Sequence, residues 1–332
     1  NVAIGMEAGN KITTGKENVI IGGLAGDALT DADFNTIVGS FALSNDTLGS
    51  KSTGIGYQAL GTQNFTTATD TYNTAVGYNA GLAVTTGVFN TLVGGLVGDA
   101  LTTGGENAAF GYAALTLDTL GSHTVAIGPY ALQTQNFTTA TDSFNTAVGY
   151  AAGTAVTTGR QNTLIGGLAG DALTASNTNT AVGYAALTSD TLGSNSVAIG
   201  FGALETQNFT TASNSYNTAV GSAAGAAVTT GNQNTFIGGL AGDALLNAAN
   251  VVAVGYKALS SDTKGFGSVA IGNQALENQN FTTNTDTFNT AVGYFAGNDV
   301  TTGVRNTLIG ALSGDAITTG VRNTTLGYFS GS

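Results

Sequence analysis

The chain is 332 residues long, contains no cysteine, and has 8% charged residues with a net charge of −12. Without cysteine, neither disulfides nor thiolate metal sites stabilise the fold. The acidic balance disfavours nucleic acid as a partner, and no stretch approaches the roughly 18 apolar residues of a membrane span. We therefore expect no nucleic-acid binding and no membrane insertion in this segment.

A short motif of the type Asn-Thr-Ala-Val-Gly recurs from the first residue to the last. Three successive spacings of 17 are followed by one of 21, and together they form a super-repeat with a period of 72. Such a fixed period is typical of a solenoid, whose units bury their apolar faces only against their neighbours. The sequence predicts one continuous domain over 1–332, which we interpret as a fragment of a longer fibre. The nineteen copies begin at Asn1, Asn18, Asn35, Ser52, Asn73, Asn90, Asn107, Thr124, Asn145, Asn162, Asn179, Ser196, Asn217, Asn234, Val251, Ser268, Asn289, Asn306 and Asn323.

The unit 73–89 shows how one coil is expected to form. Its sequence predicts a strand over 74–78, a turn over 79–81, a second strand over 83–86 and a turn into the next coil. Glycine and β-branched residues recur too often for a helix. We therefore predict an all-β parallel β-solenoid, a two-sided β-roll whose coils follow the spacings 17, 17, 17 and 21.

The side chains of the first strand alternate between two faces. Thr74 and Val76 point one way, while Ala75 and Gly77 point the other. Neither face looks solvated, and a strand buried on both faces needs a second cover besides its own coil. The Ala/Gly face fits a thin coil interior, with the reverse assignment as the alternative. The aliphatic face then requires partner chains, which favours a homo-oligomer over a lone solenoid.

The motif also resembles repeats of known surface proteins. Ser-Val-Ala-Ile-Gly at 196–200 and 268–272, with near copies at 1–5 and 124–128, resembles the head repeat of YadA-like trimeric autotransporter adhesins. The form Asn-Thr-Ala-Val-Gly-Tyr resembles repeats of bacteriophage tail fibres. Both resemblances imply a homotrimer of left-handed parallel β-rolls, located on a cell surface or virion and used for attachment to a host-surface glycan or protein receptor. These units are longer than the usual head repeat, and the choice between adhesin and tail fibre stays open.

The long coils, those with the spacing 21, contain the predicted ligand-binding residues. Each has Gln-Asn-Phe-Thr-Thr followed by a second aromatic residue, and the insertion that lengthens it is expected to protrude. Exposed rings beside amides and hydroxyls can stack on sugar rings. In the alternative, the first phenylalanine covers a coil edge or contacts a neighbouring chain. The candidates are Phe65, Tyr72, Phe137, Phe144, Phe209, Tyr216, Phe281 and Phe288.

Other polar residues are expected to be structural. Recurring asparagines are predicted to stack and to satisfy one another and the backbone. Two rows of aspartates, represented by Asp27 and Asp46, are expected to form turns, because neither row brings several oxygens to one ion. One histidine, His123, and no cysteine exclude a nucleophilic triad and a histidine metal site, and we expect His123 on a solvated turn. We expect no enzyme activity, cofactor or metal ion.

Two alternative functions fit the repeat. Thr-Thr-Gly sites, for example at Thr85 and Thr102, suggest an ice-binding β-solenoid, although the row is interrupted in the third and fourth coils and ordinary β-propensity also explains it. A self-assembling surface filament or layer protein is the other alternative. The main prediction is a structural and adhesive extracellular fibre segment.

Overall fold

The computed structural model describes residues 1–331 as an all-β parallel β-solenoid of about 19 turns, and no helix occurs in that range. Ser332, the last residue of the predicted domain, lies outside the described residues. The chain divides into two compact units, Asn1–Asn162 and a second that begins at Thr163. The single continuous domain over 1–332 stays a prediction.

In the first unit, three-residue strands pair in parallel in chain order and form one side of the coil stack. Two-residue strands form separate parallel pairs, β4 with β6 and β10 with β12. The strands are β1 (Val2–Ile4), β2 (Val19–Ile21), β3 (Thr36–Val38), β4 (Gly49–Ser50), β5 (Thr53–Ile55), β6 (Thr69–Asp70), β7 (Thr74–Val76), β8 (Thr91–Val93), β9 (Ala108–Phe110), β10 (Gly121–Ser122), β11 (Val125–Ile127), β12 (Thr141–Asp142) and β13 (Thr146–Val148).

The second unit repeats this arrangement. Its three-residue strands pair in parallel in chain order, and β16 pairs with β18 and β22 with β24. The strands are β14 (Thr163–Ile165), β15 (Thr180–Val182), β16 (Gly193–Ser194), β17 (Val197–Ile199), β18 (Ser213–Asn214), β19 (Thr218–Val220), β20 (Thr235–Ile237), β21 (Val252–Val254), β22 (Gly265–Phe266), β23 (Val269–Ile271), β24 (Thr285–Asp286), β25 (Thr290–Val292), β26 (Thr307–Ile309) and β27 (Thr324–Leu326).

The middle residue of each internal three-residue strand points into the coil. Ala75 and Leu92 are fully buried, whereas Thr74 and Val76 on either side of Ala75 remain partly exposed. The predicted parity is therefore confirmed, with the small-residue face inside. Burial of a leucine such as Leu92 stabilises the stack by about 1.5–3 kcal/mol. Alanine occupies most of these interior positions, and isoleucine, leucine or phenylalanine occupies several others. The small alanine side chains leave little space between the two sides of the coil.

A ladder of asparagines, interrupted at Ser52, Thr124, Ser196, Val251 and Ser268, closes most coils. The Oδ1 atom of Asn73 accepts a hydrogen bond from the backbone N–H of Asn90 at 2.9 Å, and its Nδ2 donates to the carbonyl of Gly87 at 2.7 Å. Asn73 and Asn90 are fully buried. The predicted mutual satisfaction of the stacked amides is confirmed, and the same contacts explain why the motif begins with asparagine.

The glycine that ends each three-residue strand permits the close approach of successive coils. Gly94 has φ +143°, and a Cβ built on it would lie 2.4 Å from the carbonyl oxygen of Gly111 in the next coil. Residues that carry a Cβ rarely adopt this backbone conformation. Each strand therefore ends just before its glycine, as β8 does at Val93. In the unit 73–89 the strand is Thr74–Val76, which is shorter than the predicted 74–78.

The second strand predicted over 83–86 is wrong. The segment is a series of tight turns, in which Leu82 N–H donates to Asn79 O at 3.2 Å and Val84 N–H to Gly81 O at 3.1 Å. The segment still forms backbone hydrogen bonds to the next coil, for example from Thr85 N–H to Thr102 O at 2.9 Å. Gly81, at φ +58°, bends the chain too sharply for a strand.

Candidate functional site

The outward face of the three-residue strands carries no charged residue. The first position of each strand is threonine, valine or alanine, and the third is isoleucine, valine, phenylalanine or leucine. In the first unit Phe110 and Ile127 are 37% and 38% exposed, although both lie within the stack. The chain has a net charge of −12, so the absence of charge from this face is a clear feature of the repeat. Extended apolar patches of this kind mark interaction surfaces.

The position just before each motif forms a flanking column, in which six residues are aromatic: Phe34, Tyr72, Phe89, Phe144, Tyr216 and Phe288. Residues there adopt the left-handed conformation, with φ +50° at Tyr72 and +59° at Phe89. The rings of Tyr72 and Phe89 stack with centroids 5.5 Å apart and an interplanar angle of 10°. Lys51 Nζ lies 4.9 Å from the Tyr72 ring centroid and 2.6 Å from Asp70 Oδ2. Both faces of the Tyr72 ring are therefore occupied by neighbouring side chains.

The structure separates the eight predicted ligand-binding aromatics into two groups. The first phenylalanine of each long coil is buried, with only 5–7% of its surface exposed. This burial supports the alternative in which it covers a coil edge. The second aromatic residue is about half exposed and belongs to the flanking column. The buried group is Phe65, Phe137, Phe209 and Phe281, and the exposed group is Tyr72, Phe144, Tyr216 and Phe288.

Part of each long coil also folds inward rather than protruding. Gln63 and Thr71 are fully buried, and Thr69–Asp70 pairs with Gly49–Ser50 as a short parallel ladder. The longest run of exposed residues in this coil is 66–68, and Asn64, Asp70 and Tyr72 are exposed singly on either side of it. The expected protruding loop is therefore shorter than the sequence suggested, because side-chain hydrogen bonds hold both of its ends against the coil stack.

A buried carboxylate anchors each long coil. Asp118 Oδ1 accepts hydrogen bonds from the backbone N–H groups of Gly121 at 3.0 Å and Phe137 at 3.3 Å, and its Oδ2 accepts from Gln135 Nε2 at 2.6 Å. Gln135 Oε1 in turn accepts from Asn145 Nδ2 at 2.8 Å. Burial raises the pKa of Asp118, against the opposing effect of its hydrogen bonds, the bond from Gln135 above all. Equivalent clusters centre on Asp46, Asp190 and Asp262.

The other aspartate row lies at turns on the stack. Asp99 and Asp171 each accept a short hydrogen bond from a threonine of the next coil, Thr116 and Thr188 respectively. Burial raises the pKa of Asp243 in the same row. Within residues 1–331, no three histidine, cysteine or acidic side chains are arranged to hold a metal ion. These contacts agree with the turn-forming role expected for the row.

We expect that a strong chelator leaves the thermal transition of the chain unchanged. Metal binding stabilises a protein only where a set of deprotonated ligands converges on the ion, and the aspartate rows, as far as the structure describes them, offer no such set. Differential scanning calorimetry with and without EDTA measures this. A large downward shift of Tm with EDTA, reversed by added calcium, would show that the aspartates bind metal.

His123 is half exposed and lies between two carboxylates. Its Nε2 is 3.2 Å from Glu106 Oε2 and its Nδ1 is 3.1 Å from Asp142 Oδ1. Its ring centroid lies 5.2 Å from that of Phe144. The residue sits on a surface turn, as expected, but its contacts hold Asp142 and Phe144 in place. Lys51 makes the equivalent contact with Asp70, and Asn195 with Asn214. Sequence reasoning missed this role because the residue type at this position changes from one super-repeat to the next.

The Thr-Thr-Gly row uses its hydroxyl groups within the stack. Thr85 Oγ1 donates to Thr102 O at 3.3 Å, and Thr102 Oγ1 donates to Thr119 O at 2.8 Å. A hydroxyl that donates to the next coil is less available to order water or ice. This geometry agrees with a structural role for the first threonine of these sites, whereas the second, such as Thr86 or Thr103, is exposed, and the ice-binding alternative stays a prediction.

Two cavities lie along the flanking column in the first unit. One, of about 460 Å³, is lined by Phe89, Thr91, Glu106, Asn107 and Ala108. The other, of about 330 Å³, is lined by Ala140, Thr141, Asp142, Phe144, Arg160 and Gln161. Volumes of about 300–1,000 Å³ are typical of small-ligand sites. The second cavity includes one of the predicted ligand-binding residues, Phe144.

No family model, curated protein or solved structure matches this chain. Across the described residues, no helix has the length and apolar character needed to cross a lipid bilayer.

Proposed function

We propose that the chain is a segment of an extracellular attachment fibre, an adhesin head or a phage tail fibre on a cell surface or virion. In this proposal three copies associate around a threefold axis as left-handed β-rolls, whose coils follow the spacings 17, 17, 17 and 21 of the sequence motif. The observation that carries the proposal is the uncharged outward face of the three-residue strands. A host-surface glycan or protein is the proposed receptor.

The burial pattern supports association through this face. Isoleucines at the third strand position, such as Ile127 and Ile271, are each 38% exposed, and neighbouring strands place similar side chains beside them. A solvated sheet face normally alternates polar residues with the buried row. Here the outward third-position row is apolar throughout, beside a first-position row of threonine, valine and alanine. Water contact with the third-position row is unfavourable, and burial against other copies would stabilise an oligomer.

The proposal also fits the arrangement of polar groups. The buried carboxylates, amides and hydroxyls described above are engaged in holding coils together rather than converging on a reacting atom. Rows of equivalent surface residues suit repeated weak contacts, which become effective when several copies are joined. The architecture therefore supports attachment better than catalysis.

We expect the wild-type chain to sediment as a trimer and the double variant Ile127→Asp, Ile271→Asp to sediment as a monomer. A buried, unpaired carboxylate costs several kcal/mol, and each trimer would contain two per chain. Analytical ultracentrifugation measures the mass.

Beads coated with the trimer should also adhere more strongly than beads coated with the monomer to surfaces that bear the receptor, because attachment depends on avidity.

Leu117→Asp is the matched control, because Leu117 is equally apolar and exposed but lies outside the three-residue strands. It should leave the sedimenting mass unchanged. Circular dichroism verifies that each variant keeps its β structure. A wild-type monomer would overturn the trimer, and a trimeric chain without adhesion to any surface tested would overturn the attachment function.

A further inference from the structure

We propose that the 330 Å³ cavity beside Phe144 binds a neutral hexopyranose. Its biological use rests on the proposed attachment function, and the site would be the point of receptor contact in the first unit. The cavity combines an exposed aromatic ring with hydrogen-bonding side chains. A pyranose is complementary to both, because its apolar C–H face can stack on the ring and its hydroxyl groups can bond the polar side chains.

The Phe144 ring supplies the apolar contact. It is 53% exposed, and its φ of +49° is a conformation that costs energy for a bulky residue. His123, one coil earlier, lies against the ring, whereas the cavity opens toward Arg160 and Gln161 of the next coil. Residues just before a motif share this backbone conformation, polar ones such as Glu106 and Gln161 included, so the coil geometry sets it. What distinguishes Phe144 is an exposed ring beside the cavity.

Three polar side chains line the same cavity. Asp142 provides hydroxyl acceptors, Arg160 provides planar donors, and the Gln161 amide provides both. His123 Nδ1 lies 3.1 Å from Asp142 Oδ1, which orients the carboxylate and directs its remaining lone pairs elsewhere. His123 is therefore a positioning residue, and its own second nitrogen is fixed by Glu106 at 3.2 Å.

The charge balance selects the class of sugar. The cavity lining has one anion, Asp142, and one cation, Arg160, so it carries no net charge. An acidic sugar would meet Asp142 and the net charge of −12 on the chain. A neutral hexose avoids both penalties and can still hydrogen-bond Asp142 and Gln161 of the lining.

The positions equivalent to Phe144 in other super-repeats have different residues around the aromatic ring. The Tyr72 ring is covered on both faces, by Lys51 and Phe89. Phe288 follows Gly267 in place of His123 and precedes Arg305 in place of Gln161. The Tyr216 position has Asn195 in place of His123 and Asn214 in place of Asp142. These differences assign the proposed site to the boundary of the second and third super-repeats, and Phe288 provides a matched control.

The test is saturation-transfer NMR and calorimetric titration of the full chain with methyl glucoside, methyl galactoside and methyl mannoside. Methyl glucuronide and a methyl sialoside form the acidic arm. At least one neutral hexoside should bind. Phe144→Asn removes the ring while favouring the left-handed backbone, and it should weaken binding by at least about tenfold. Arg160→Ala should weaken the binding of the same hexoside.

Phe288→Asn is the control and should leave affinity unchanged. His123→Asn, which can still donate to Asp142, should bind more tightly than His123→Ala. The proposal is overturned if no neutral hexoside binds, if only the acidic sugars bind, or if Phe144→Asn and Phe288→Asn behave alike. Since the titration needs neither a trimer nor a surface, hexoside binding by a monomeric chain would contradict the fibre proposal alone.

Discussion

Gly94→Ala is expected to lower the stability of the first unit by at least about 3 kcal/mol, because backbone strain alone costs about 1–3 kcal/mol and a steric clash adds to it. The new Cβ would lie 2.4 Å from Gly111 O, which belongs to the backbone of the next coil. Relief requires the two coils to separate, and this weakens the 2.8 Å bond from Gly111 N–H to Val93 O. Urea unfolding and hydrogen exchange of the flanking amides measure the loss.

The adjacent glycine provides the control. Gly95 does not have the φ of Gly94, and a Cβ built there would meet only the Tyr112 ring at 3.6 Å, an ordinary contact. Gly95→Ala should therefore change stability by less than about 1 kcal/mol. Equal losses in the two variants would show that coil spacing is not set by the strand-ending glycine.

Asp262→Ala is expected to destabilise the second unit by at least about 3 kcal/mol, since each buried donor left unpaired costs about 1–3 kcal/mol. Asp262 accepts from Gly265 N–H at 3.1 Å, Phe281 N–H at 3.0 Å and Gln279 Nε2 at 2.5 Å. Asp286→Ala, at an exposed position of the adjoining coil, should change stability little. Chemical unfolding of both variants makes the comparison.

The same carboxylate makes stability depend on pH. Burial raises the pKa of Asp262 above its ordinary value of 3.8. The folded chain then binds the proton more tightly than the unfolded chain, so the stabilisation is complete below the ordinary value and is lost as the pH rises through the raised one. Asp262→Asn should remove this contribution from the difference in unfolding free energy between acidic and neutral pH. An unchanged difference would mean that the Asp262 carboxyl titrates normally.

The sequence predicted the solenoid, the inward small-residue face and the asparagine ladder, because period and parity are visible in one chain. It did not predict that 83–86 forms turns, since alternating apolar residues suit a strand equally well until Gly81 bends the backbone. It named Phe65 and Tyr72 together as candidate ligand-binding aromatics and left open whether Phe65 covers a coil edge, and the structure buries Phe65 and exposes Tyr72. Their separation depends on Gln63 and Asp46, which meet across 17 positions of chain.

The carboxylate clusters have a consequence for how such a gene can change length. Each cluster links neighbouring coils, as Asp46, Gln63 and Asn73 show through contacts from Gln63 to both partners. Unequal recombination that adds or removes a complete super-repeat recreates every cluster, whereas an exchange that removes only the coil of the aspartate or only the coil of the glutamine separates the two. Copy number can thus vary in whole super-repeats while each new protein inherits correctly matched coil contacts.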